Sequence, residues 1–292
     1  MMWALLNSQR KRLFALALSL LLLLGLQPEQ ASAHQPHDDT LIVVVSPDYS
    51  TDQTVYVATD LLSVTLGVHV LLKSTDAGLT WDIVPNLHNF QINGLALSPD
   101  YGADGTLFAS TDQGLFRSTD GSETWVDLTS NVGVTTVAVA LSPHYAVDQT
   151  VFVIGAAGTL HRSTNGGATW TMLPLEARTS DARKARLPEY SVPVRQPLIP
   201  DDAHHASHNP AANASPQSSG IVPHSAIALS PDYQNDQTII AGIESVGLFK
   251  SVNGGTSWEA VGQEIGGFDV TALAFSPNYA QDNRLYASTW GG

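Results

Sequence analysis

Beyond residue 40 the apolar positions of this chain come in short runs rich in Val, Ile, Leu, Phe and Thr, each closed by Gly, Pro, Asp, Asn or Ser. Runs of this kind, bounded by turn formers, predict β-strands joined by hairpins. Gly94–Ser98, Thr106–Ser110, Gly114–Ser118 and Thr124–Leu128 read as four consecutive strands, lettered A to D. The pattern recurs at about 44 residues, and four short strands in a unit of that length are the signature of a β-propeller blade. Four blades are complete. A fifth supplies strand A (Thr271–Ser276) and strand B (Arg284–Ser288), so the chain is expected to be a piece of a ring of roughly six to eight blades.

Two motifs punctuate each unit. The first is an eight-residue box that begins with Ser and ends with Trp: Ser74, Asp76, Gly78 and Trp81; Ser118, Asp120 and Trp125; Ser163, Asn165, Gly167 and Trp170; Ser251, Asn253, Gly255 and Trp258. The second is Ser-Pro-x-Tyr, at Ser46, Ser98, Ser142, Ser230 and Ser276, with an Asp three residues after each Tyr. The box reads as the hairpin between strands C and D. Its Asp or Asn accepts hydrogen bonds from the backbone of its own turn, its Gly supplies a positive φ, and its Trp packs between neighbouring blades. Asn165 and Asn253 are neutral amides, an exchange that a turn cap survives and that a metal or proton-transfer site is not expected to survive. Ser122 at the Gly position and Ser257 at the Thr position are expected to weaken only their own turns. Ser-Pro-x-Tyr reads as a second turn, with Pro presetting φ.

The boxes resemble the Asp-box (BNR) repeat of sialidase-type and xyloglucanase-type propellers, the sortilin ectodomain and a photosystem II assembly-factor family. The paired Ser-Pro-x-Tyr motif is similar to that of secreted bacterial Asp-box proteins. The resemblance covers roughly residues 40–173 and 224–292. It implies the propeller fold and leaves activity open, because these families do different things.

The N-terminus reads as a secretory signal peptide over residues 1–33. Arg10, Lys11 and Arg12 precede the apolar run Leu13–Leu26, and Ala31-Ser32-Ala33 forms a cleavage site between Ala33 and His34. The run is shorter than the ~20 residues that span a bilayer. Residues 34–40 are expected to be a flexible lead, 41–173 blades one to three, 174–223 a disordered Pro/Ala/His-rich insertion, and 224–292 blade four with part of a fifth. His204, His205 and His208 beside Asp201 and Asp202 have ligand-like chemistry without a preformed geometry.

Composition narrows the function. The 292 residues contain no cysteine, 27 acidic and 13 basic groups, for a net charge of −14. Thiolate metal sites and cysteine nucleophiles are excluded, and the acidity argues against nucleic acid as a partner. The insertion is charge-balanced, so the propeller segments hold the excess of acid. Arg117 and Arg162 stand where Lys73 and Lys250 stand, just before a box. They are repeat residues, not the convergent arginines of a sialidase-like site, and the basic patch of the assembly-factor family is missing. The expected function is a secreted, non-catalytic binding or scaffold module for protein or glycan ligands, with no cofactor and no metal. The alternatives are a propeller glycoside hydrolase and an assembly factor of the photosystem type.

Overall fold

A computed structural model describes residues 39–63, 66–87, 89–175, 225–262 and 269–290. The segment read as a signal peptide, the expected lead before Asp39 and most of the predicted insertion lie outside these residues.

Four four-stranded antiparallel sheets follow one another, each a simple meander. Blade one comprises β1 (Asp39–Val45), β2 (Val55–Ser63), β3 (Leu66–Ser74) and β4 (Asp82–Ile83). Blade two has β5 (Ile92–Leu97), β6 (Leu107–Thr111), β7 (Gly114–Ser118) and β8 (Val126–Asp127). Blade three has β9 (Thr136–Leu141), β10 (Val151–Gly155), β11 (Leu160–Ser163) and β12 (Thr171–Leu173). Blade four has β13 (Ala226–Leu229), β14 (Ile239–Ile243), β15 (Gly247–Ser251) and β16 (Glu259–Val261). The last two strands, β17 (Asp269–Phe275) and β18 (Leu285–Trp290), pair with each other. First strands of successive blades lie side by side, the arrangement of a β-propeller.

The second strands explain why the sequence reads as apolar runs. Every residue of β6, β10 and β14 is buried, because one face meets the preceding blade and the other the following one. A strand covered on both faces loses the apolar–polar alternation of a half-exposed one. The hydrophobic core is accordingly a series of seams. Phe108, Leu115 and Leu128 of blade two pack with Val139, Tyr145 and Val151 of blade three. Phe152, Leu160 and Leu173 of blade three pack with Tyr233, Ile239 and Phe249 of blade four.

Two details depart from the sequence expectations. Ser-Pro-x-Tyr leads into a single helical turn, as at Tyr101–Asp104 and Tyr145–Asp148, which ends on a left-handed residue such as Gly105 or Gln149. The extra length in blade one, between Val55 and Ser74, is not a loop but a longer hairpin: β2 and β3 stay paired out to Ser63 and Leu66.

Candidate interaction face

Each box is closed by its own side chains. Ser74 Oγ donates to Asp76 Oδ1 at 2.7 Å and accepts from Gly78 N at 2.9 Å. Asp76 then accepts from Thr80 N at 2.8 Å and Thr80 Oγ1 at 2.6 Å. Asp120 repeats these bonds with Ser118 and Thr124. In both cases the bonds from the box Thr and Ser hold the carboxyl down to about 2. In blades three and four the amides of Asn165 and Asn253 donate to Thr169 Oγ1 and Ser257 Oγ. A hydroxyl donates to a carboxylate and accepts from an amide, so the same turn forms with either residue. The boxes also need two successive left-handed residues, not one, as in Gly166 and Gly167 (φ 65° and 88°) or Ala77 and Gly78 (62° and 89°).

The aspartate after each Ser-Pro-x-Tyr has an equally local task. Asp104 accepts from Ser98 Oγ at 2.6 Å and Thr106 N at 2.7 Å, and Asp52, Asp148, Asp236 and Asp282 do the same in their blades. The two motifs then join: Gly121 N donates to Gly105 O, and Gly166 N to Gln149 O. Both occupy the face formed by the A–B and C–D connections.

The cations before the boxes reach across the seams. Lys73 Nζ donates to Gly121 O at 2.7 Å, Arg117 Nη1 to Gly166 O at 2.7 Å, and Arg162 Nη1 to Gly254 O at 3.0 Å. Lys250, with no box ahead of it among the described residues, donates to Tyr279 Oη at 3.2 Å. Tyr145 and Tyr233 stand edge-on to Phe108 and Phe152 of the preceding blade. Burial pushes the phenol pKa of both tyrosines up. Trp125, Trp170 and Trp258 each pack against the seam with the preceding blade. Trp81 is 39% exposed.

The opposite face, made by the B–C and D–A connections, is not built from repeats. Its turns are tied down individually. Asp112 Oδ1 accepts from Gln91 N, Asp269 Oδ1 from Ser245 N, and Asp127 Oδ1 from Thr129 N. A helical turn at Thr129–Val132 covers the start of β7, where Leu115 N donates to Thr129 Oγ1; nothing in the repeat pattern announced it. Beside the first strands of blades two and three, Asn93 Nδ2 donates to Thr136 O at 3.4 Å, while Asn93 Oδ1 and Thr136 Oγ1 are buried without a partner. Burial pushes the pKa of His161 down, and its Nε2 lies 3.0 Å from Thr159 Oγ1. Among the described residues no group of three or more His, Asp or Glu gathers as metal ligands, and no helix is long and apolar enough to cross a membrane. His204, His205 and His208 lie outside the described residues.

No protein-family model matches the chain, and no curated protein matches it. Solved structures do. An ancestral GH74 enzyme superposes with a TM-score of 0.54 at 20% identity, covering 86% of this chain and 27% of the enzyme. YCF48 from Cyanidioschyzon merolae superposes with a TM-score of 0.51 at 14% identity, covering 89% of this chain and 66% of that protein. The chain thus spans less than two thirds of either relative, and at these identities the likeness is one of fold: a β-propeller of four-stranded blades.

Proposed function

We propose that this chain is an exported Asp-box propeller that binds an extracellular protein or glycan without turning it over. One observation carries this reading: the charged groups of the repeats are committed to building the propeller. Lys73, Arg117 and Arg162 are bonded to box carbonyls across the seams, so they do not converge on a substrate carboxylate. Asp76 and Asp120 are held at about 2, far from the range in which a carboxyl delivers a proton at neutral pH. The boxes are therefore scaffold, and Ala33–His34 is where the leader would be cut.

Binding belongs to the non-repeated face, where Asp112, Gln113 and Glu244 stand on the B–C turns. The chain is screened on a glycan array and against extracellular protein extracts, with β-glucan and sialoside hydrolysis followed in parallel. Capture without hydrolysis is expected. Gln113→Arg and Glu244→Lys should abolish capture, whereas Leu79→Asp on the repeated face, 84% exposed, should leave it intact. Release of reducing sugar by the purified chain would overturn the reading in favour of a glycoside hydrolase.

A further inference from the structure

Asparagine is followed by glycine at three places, Asn93-Gly94, Asn165-Gly166 and Asn253-Gly254. In such a pair the glycine nitrogen, with no Cβ beside it, can attack the carboxamide carbon of the asparagine. The seams impose the glycine in two of the three. Gly166 and Gly254 sit at φ 65° and 67°. A Cβ at Gly166 would stand 3.1 Å from Arg117 Nη1 and 3.2 Å from Tyr145 Oη. One at Gly254 would stand 2.8 Å from Gln237 Oε1 and 3.3 Å from Arg162 Nη1. The box asparagine is thereby placed next to the residue that makes it most labile.

The closed box blocks that attack at both reacting groups. Gly166 N, the attacking atom, donates to Gln149 O at 3.0 Å, and Gly254 N donates to Gln237 O at 3.0 Å. The carboxamides are held as well. Asn165 Oδ1 accepts from Ser163 Oγ and Thr169 N, and its Nδ2 donates to Thr169 Oγ1, all at 2.9 Å. Asn253 has the matching partners Ser251 Oγ, Ser257 N and Ser257 Oγ. Across the seams, Arg117 and Arg162 hold the carbonyls of the two glycines. Both asparagines are exposed to water, so solvent access does not limit the reaction; release of the turn does. Asn93 sits in no such turn, and its Nδ2 donates to Thr136 O at 3.4 Å.

We propose that Asn165 and Asn253 are modification sites controlled by the seams: amides while the box is closed, converted to aspartate or isoaspartate when it opens. On opening, the glycine nitrogen loses its proton to hydroxide and bonds to the asparagine Cγ, the Cγ–Nδ2 bond breaks, and ammonia leaves. Water then opens the cyclic imide. Attack of water at Cγ yields aspartate, whose carboxylate accepts from the backbone and hydroxyl of the box as Asp120 does. Attack at the main-chain carbonyl yields isoaspartate, which lengthens the backbone by a carbon just before Gly166 or Gly254. That glycine can then no longer meet its partners in the Ser-Pro-x-Tyr turn and across the seam. Either product leaves a permanent negative charge as a record that the blade has opened.

The test incubates the full chain at mildly alkaline pH, native and in urea, and follows each Asn-Gly pair by peptide mass spectrometry. Enzymatic carboxyl methylation scores isoaspartate. Asn165 and Asn253 should convert in urea and remain amides in the native chain over the same period. Arg162→Met frees Gly254 O and should raise native conversion at Asn253 about tenfold, leaving Asn165 and Asn93 at their wild-type rates. Ser257→Ala, at an exposed position, removes only the partner of Asn253 Nδ2 and should act in the same direction by a smaller factor. The proposal fails if both asparagines convert as fast in the native chain as in urea, or if neither converts in urea. It fails equally if Arg162→Met and Ser257→Ala both leave Asn253 at its wild-type rate.

Discussion

The seam between blades one and two and the seam between blades three and four do the same job with different chemistry. In the later seam Phe152 meets Tyr233, Arg162 donates to Gly254 O, and a glycine at 255 lets Trp258 donate to its carbonyl at 3.0 Å. In the earlier seam Tyr56 replaces the phenylalanine, lysine replaces arginine, and Ser122 replaces the glycine. Tyr56 Oη lies 2.7 Å from Tyr101 Oη and 3.0 Å from Ser122 Oγ, and it donates to Gly121 O at 3.1 Å. Trp125 Nε1 in that blade is buried without a partner. The substitutions form a set. A hydroxyl network stands in for apolar contact plus a guanidinium, and the lost indole bond goes with it.

The largest effect should come from removing the apolar version. Phe152→Ala takes a fully buried ring from the third seam, and a loss of about 3–5 kcal/mol is expected, read by chemical denaturation. Tyr56→Phe keeps the ring and removes only the hydroxyl, leaving Tyr101 and Ser122 short of a partner, which should cost about 1–2 kcal/mol. Equal losses would mean that the two seams do not differ as described.

The glycine-for-serine exchange gives a sharper test. A Cβ at Gly255 would stand 2.5 Å from Leu173 Cδ1, and one at Gly167 would stand 2.7 Å from Leu128 Cδ1. The residue that matches these leucines in blade one is Val84, three positions after its box Trp and one carbon shorter, and Ser122 is accommodated there although its φ is 77°. Gly167→Ser should therefore destabilise by about 2–3 kcal/mol, through crowding in the seam and a strained backbone. Leu128→Val in the same chain should recover part of the loss. Failure of that rescue would show that strain at φ 88° outweighs the crowding.

Much of this was legible in the sequence, for a physical reason. Box and Ser-Pro-x-Tyr are local turns whose bonds run between residues two to six apart, so their spacing alone places strands A to D. The outer strands were overestimated, since Thr124–Leu128 narrows to Val126–Asp127. The box Asp and Ser bond within their own turn, and the boxes that carry Asn keep those bonds. Seam chemistry was not legible. The partners of Arg117 and Arg162 lie in the next blade, and a repeated cation in the sequence does not say what it touches. Ser122 illustrates the gap: expected to weaken one turn, it belongs to a network that includes Tyr56 from another blade.

Removing the cations separates the seams by a smaller margin. Arg162→Met leaves Gly254 O without its charged donor and takes away the neighbour of Tyr233, for an expected loss of about 1.5–2 kcal/mol. Lys73→Met should lose less, about 1 kcal/mol, because Gly121 O still accepts from Tyr56. Thermal melting of the two variants side by side checks the order, and a reversed order would deny that the tyrosine network backs up the lysine.

Acid should reveal the smallest difference, in the boxes themselves. Asp76 and Asp120 are held at about 2 in the folded chain against an ordinary 3.8. A carboxyl lowered by folding contributes stability that is complete above the unfolded value and is lost as pH falls through the folded one. The window therefore runs from about pH 4 down to about 2. Both carboxyls are exposed, so salt and solvent keep the effect modest. The boxes of blades three and four carry Asn165 and Asn253 and have nothing to protonate. Asp282 is also lowered, by Ser276 and the backbone at Arg284, and leaves some acid sensitivity in any box variant. The comparison is wild type against Asp76→Asn with Asp120→Asn, melted at pH 5 and near pH 2. The wild type should lose more on acidification than the double variant, and the indole N–H resonances of Trp81 and Trp125 should shift before those of Trp170 and Trp258. Equal acid losses, with all four indoles moving together, would mean that the carboxylate and amide boxes are equivalent in stability as well as in shape.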